Sequence, residues 1–200
     1  VFVIDPNCEN LFSNDITQLI RARMSFFHDK YTDFVDCMIL FANLFDCMTL
    51  QLSNYLIEVL QERYAECESI FVEMGIGTFD GTAIHFQHEY YISVLRNIKI
   101  KNQDLLENCL NWIRMQKDSD INLSFCDIYL CFLRKKIDYN DVCRKIVVLQ
   151  KEIKNNKDKK TVYEYLCKIP DMILKKYNFK LYKIYFELAQ MIIQSGNWNL

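Results

Sequence analysis

The sequence predicts an all-α protein built from antiparallel helix pairs stacked as a solenoid-like helical repeat. Three observations lead there. Gly and Pro number only 4 and 2 in 200 residues, so few positions interrupt helices. Apolar residues recur at helical spacing along most of the chain. A helix-pair pattern occurs twice, as ISVLRNIKIKNQDLLENCLNWI over 92–113 and YLCFLRKKIDYNDVCRKIVVLQ over 129–150. Each copy carries an apolar run ending in Leu-Arg (Leu95-Arg96 and Leu133-Arg134), a polar hinge with Asn102 or Asn140, and a second apolar run. A unit recurring after roughly 35–40 residues is the mark of stacked helical repeats.

Asp5-Pro6-Asn7 ends a short β-branched lead-in, and Ser13-Asn14-Asp15 offers caps for a helix over 15–28. Its apolar positions are Ile16, Leu19, Ile20 and Met24, and His28 supplies a favourable charge at its C-terminus. Thr32 or Asp33 caps the next helix, 34–45, which is apolar nearly all round and belongs at the centre of the core. A third helix runs from Thr49 towards Met74, long enough to break near Glu62–Ala65. Gly75–Gly81 holds three of the four glycines and reads as a loop. Helices follow over 82–98, 102–116, 125–135 (capped by Ser124) and 140–154. Short ones over 161–169 and 171–177 flank Pro170, and 180–195 ends before Gly196. The total is about nine to eleven helices with essentially no sheet.

Residues 1–200 read as one all-α domain, with Val1 in place of Met implying an excerpt of a longer protein. A subdivision into an acidic part, 1–81, and helix pairs with a basic C-terminal half, 82–200, follows the charge: residues 1–100 carry net −8 and 101–200 net +6. Nine cysteines, odd in number and without a CxxC, lie mostly in apolar runs. They read as reduced, buried thiols of a cytoplasmic or nuclear protein. The sequence has no apolar run long enough for a membrane span.

The segment ESIFVEMGI, 68–76, resembles the second-helix ending of pentatricopeptide-type repeats, and the 92–113 and 129–150 pairs resemble tetratricopeptide or pentatricopeptide units. The closing IIQSGNWNL, 192–200, is similar to the end of HEAT-type domains. Those resemblances imply a scaffold without catalytic activity that holds a peptide, a helix or RNA on a concave face.

No cofactor is expected. His85 and His88 at i, i+3, beside Glu89 and after Asp80, lack a third metal ligand. Gly75-x-Gly77 opens like a dinucleotide fingerprint but follows a helix where a strand is required. No catalytic cysteine constellation is visible, and Asp118 and Asp120 read as solubilising. The surface feature singled out is basic: Arg144, Lys145, Lys151, Lys154, Lys157, Lys159 and Lys160, with Tyr163 following. Lysines interleaved with aromatic rings suit single-stranded nucleic acid, although charge runs also form plain solvated faces.

The expected function is therefore a helical-repeat scaffold for a protein partner, presented as a peptide or a helix, with homo-oligomers allowed. One alternative is an RNA-binding scaffold using the basic half. Another is a compact bundle resembling viral death regulators, with the 34–45 helix buried at its centre and a partner helix in a groove.

Overall fold

A computed structural model describes residues 6–45, 47–79, 84–116, 121–138, 140–142, 144–145, 147–149 and 190, with side chains from residue 16 onward except at Ile121. The described part is mostly helical, in the order α1 (Pro6–Lys30), α2 (Thr32–Leu44), α3 (Leu50–Arg63), α4 (Cys67–Met74), β1 (Gly77–Phe79), β2 (Ile84–Phe86), α5 (Glu89–Arg96), α6 (Gln103–Met115) and α7 (Ile121–Cys131). The described residues between 140 and 149 are helical as well. The expected helices 161–169, 171–177 and 180–195 fall outside the described residues, except for Gln190.

The chain forms two compact units. One comprises Val1–Asn43 and Leu50–Leu105, the other Leu44–Thr49 and Leu106–Leu200.

In the first unit, α1 starts at Pro6, nine residues before the expected start at Asp15. Proline is suited to the first helical position, since its missing N–H would have no intrahelical partner there and its φ is already helical. What reads as a stop signal in Asp-Pro-Asn is a start. The long third helix does break: α3 ends at Arg63 and α4 begins at Cys67. Gly75 then closes α4 at φ 59°, with its N–H donating back to the carbonyls of Phe71 and Val72. Only glycine takes that left-handed cap without strain.

The stretch after Gly75 departs from the all-helical expectation. β1 and β2 pair antiparallel, Gly77 opposite Phe86, Thr78 opposite His85 and Phe79 opposite Ile84. Along both strands half-buried residues flank one exposed residue, the period-2 pattern of a hairpin. The expected helix over 82–98 therefore begins only at Glu89.

The core of this unit is aromatic and aliphatic. Phe34 meets Phe71 edge-on at 5.0 Å and Tyr64 at 5.6 Å, while Phe71 stacks on Phe79 at 6.1 Å. Leu52, Leu56 and Leu60 line the buried side of α3. α1 packs against α5 and α4. Every residue of α2 from Phe34 to Ala42 is buried, as expected for its all-round apolar sequence.

In the second unit α7 plays the same part: every residue from Leu123 to Cys131 is buried. It starts and ends four residues earlier than the expected 125–135. Consequently Leu133-Arg134 lies beyond its end, whereas Leu95-Arg96 closes α5. The two sequence copies are thus offset within their helix pairs. Their hinges are also capped differently. Asn102 Oδ1 accepts from the backbone N–H of Asp104 and Leu105 at 3.1 Å. In the later copy Asp138, not Asn140, supplies the cap, with Oδ1 accepting from Asn140 N at 2.9 Å and Asp141 N at 3.2 Å.

Candidate functional site

α1 carries an apolar surface in addition to the face it buries. Ile20, Met24 and Phe27 are buried, but Ile16 is 43%, Leu19 70% and Phe26 66% exposed. With the exposed Ala22 between them, these residues recur in steps of three and four and share one outward face. The helix is therefore apolar on two sides, one spent on the core and one open. Single exposed apolar side chains are ordinary, whereas a row of them on one helix face is the pattern of an interaction surface.

α1 also meets α4 through polar contacts at the surface. Glu73 accepts from Lys30 Nζ at 2.9 Å and from the Tyr31 hydroxyl at 3.2 Å, and Arg23 donates to the Glu73 carbonyl at 2.9 Å. The bond from Lys30 is the main cause holding the Glu73 carboxyl below its usual range.

Two buried carboxylates mark the otherwise apolar helices α2 and α7. Asp36, with no exposed surface, lies 2.7 Å from His28 Nε2 and accepts from the backbone N–H of Asn102 at 2.7 Å and of Lys101 at 3.2 Å. His28, expected as a charge at a helix end, does lie in the last turn of α1, two residues before its end, but it is buried there against Asp36. Asp127, 1% exposed, pairs with Lys145 and has Arg114 Nε at 3.8 Å. Lys145 Nζ also lies 3.2 Å from Cys131 Sγ and 3.6 Å from Asp141. Arg134 grips Glu107 with two 2.6 Å bonds. Burial pushes the Cys131 thiol up, with Lys145 working against it. Groups satisfied this way hold elements together.

Of the basic residues singled out from the sequence, Arg144 is exposed. Lys145 is not a surface cation: it is 11% exposed and turned inward to Asp127. Lys151, Lys154, Lys157, Lys159, Lys160 and Tyr163 lie outside the described residues. His85 and His88 do not share a helix face. His85 is the middle residue of β2, and His88 caps α5, its Nδ1 accepting from Tyr90 N at 3.3 Å. Among the described residues no group of three or more His, Cys, Asp or Glu is placed to hold a metal ion. No described helix is long and apolar enough to cross a membrane. Asp80, Gly81, Asp118 and Asp120 lie outside the described residues.

No protein-family model matches the chain, and neither a curated protein nor a solved structure matches it.

Proposed function

We propose that the chain is a helical module, without catalytic activity of its own, that recruits a protein partner through the outer face of α1. The observation that carries this reading is the exposed row Ile16, Leu19 and Phe26 on a helix whose adjoining face is already packed. A partner with an apolar groove, or an amphipathic helix of its own, buries such a row at roughly 25 cal/mol per Å² of apolar surface. In this reading the pairs over 92–113 and 129–150 are stacked repeat units, supported by the helix–hinge–helix order of α5 and α6 and of α7 and 140–149. The free thiols Cys37, Cys47, Cys67, Cys109, Cys126 and Cys131, all buried, support a reducing cytoplasmic or nuclear setting.

The test is quantitative affinity capture with the wild-type chain and a Leu19→Glu/Phe26→Glu variant of matched secondary structure. A partner retained by the first and lost by the second supports the reading. Equal capture by both contradicts it.

The second reading is RNA binding through the basic half, favoured by exposed Arg144, Lys135 and Lys136 near the start of the basic run. It requires an affinity for a short single-stranded RNA that falls steeply with salt. It also requires further weakening when Lys157, Lys159 and Lys160 are changed to Glu. Absence of binding at low salt removes it.

A further inference from the structure

The second unit holds two cysteines in direct contact. Cys47 lies just beyond α2, where its N–H donates to the Leu44 carbonyl at 2.9 Å. Cys126 lies in the middle of α7, 79 positions later. Their sulfurs are 3.3 Å apart, and Cys126 Sγ is also 3.3 Å from the Cys47 carbonyl oxygen. Two thiol protons satisfy both contacts: Cys126 S–H donates to the carbonyl, and Cys47 S–H donates to the Cys126 sulfur. A disulfide has its sulfurs about 2.05 Å apart, so closure asks for an approach of about 1.2 Å, within reach of side-chain torsions.

We propose that Cys47 and Cys126 form a modification site: a dithiol converted by hydrogen peroxide into an intramolecular disulfide. Cys47 is 3% exposed and Cys126 not at all, so the peroxide reaches Cys47 first. The Cys47 thiol gives up its proton as its sulfur attacks one peroxide oxygen, and the O–O bond breaks. This leaves a sulfenic acid on Cys47, and the displaced hydroxide takes the thiol proton to give one water. The Cys126 sulfur then attacks the Cys47 sulfur, the S–O bond breaks, and the leaving hydroxide takes the Cys126 proton as a second water. Two electrons pass from the sulfurs to the peroxide, and both protons of the present contact are consumed. The contact itself explains why the product is a disulfide: Cys126 is in place before the sulfenic acid can oxidise further. The bond ties the 44–49 segment to α7.

The contact also separates this pair from Cys131, Cys67 and Cys109. Cys131 Sγ faces Lys145 Nζ, and Cys67 Sγ faces the carbonyls of Leu60 and Tyr64. Burial pushes the Cys109 thiol up to about 12, leaving it almost no thiolate.

The experiment treats the folded full chain with hydrogen peroxide, blocks remaining thiols, and reads intact mass and a non-reducing tryptic map. The expected result is loss of two hydrogens and a cross-link between peptides 31–63 and 118–134. Each of these peptides holds a second cysteine, Cys37 and Cys131, so a Cys37→Ser/Cys131→Ser variant must keep the link. Cys126→Ala must lose it and leave Cys47 as a sulfenic acid that dimedone traps. If that variant fails to fold, fragmentation of the wild-type cross-link decides between Cys47–Cys126 and the other pairings. Addition of oxygen atoms without hydrogen loss, or a link through Cys37 or Cys131, overturns the proposal.

Discussion

His28 Nε2 lies 2.7 Å from Asp36 Oδ1, and neither side chain sees solvent beyond 3%. The same carboxylate accepts the backbone N–H groups of Lys101 and Asn102 just ahead of α6. One buried acid therefore ties together the end of α1, the middle of α2 and the lead into α6.

Replacing Asp36 with Ala orphans two backbone donors and a histidine at once. Leaving buried donors unsatisfied costs about 1–3 kcal/mol apiece, so the variant loses on the order of 3 kcal/mol or more in chemical denaturation. Asp36→Asn keeps an acceptor oxygen and loses less. An unchanged denaturation midpoint for Asp36→Ala would contradict the assignment.

Lys145 is the main basic partner of Asp127. Lys145→Met leaves that buried carboxylate poorly compensated and destabilises by about 3–5 kcal/mol. Removing both charges, as Lys145→Met/Asp127→Leu, recovers at least half of the loss. A double variant no more stable than the single one shows that the pair is not coupled.

The two glycines around the hairpin differ in what they tolerate. A Cβ on Gly77 would sit 2.0 Å from the His85 carbonyl oxygen, whereas one on Gly75 meets only the flexible Arg23 guanidinium at 3.3 Å. Gly75→Ala still carries the left-handed penalty, roughly 1–2 kcal/mol. Gly77→Ala forces the strands apart and is the costlier change, by midpoint shift and by loss of amide protection in Thr78 and Phe79.

Alkaline stability follows from the thiols. The folded Cys109 pKa, about 12, exceeds the ordinary value of 9.0, because burial disfavours the thiolate. Its contribution is fully present below pH 9 and is lost as pH rises towards 12. Cys67 and Cys131 shift in the same direction. Stability measured from pH 8 upward therefore declines above about pH 9, and Cys109→Ala flattens that decline.

Much of the helical architecture is legible in the sequence. The apolar run from Phe34 onward has no polar face, so α2 has to be buried. The break between α3 and α4 follows from a pattern too long for one helix. The hairpin is harder, because three-residue strands leave almost no period-2 signal, and His85 with His88 imitates helical spacing. Ile16 and Leu19 point outward because α1 is apolar over a wider arc than its partners α4 and α5 cover, and periodicity alone does not choose the inner side. Lys145 reads as part of a solvated basic run because its acidic partner lies 18 residues earlier, on another helix. Asp36 and His28, eight positions apart, meet only because the chain turns at Tyr31 between α1 and α2.

The outer face of α1 as a partner-binding surface is tested most directly by quantitative capture with the wild-type chain and Leu19→Glu/Phe26→Glu in parallel. Both positions are exposed, so the variant keeps its unfolding midpoint to within about 0.5 kcal/mol. The account predicts one partner whose retention falls at least tenfold in the variant. Retention unchanged at equal stability contradicts it.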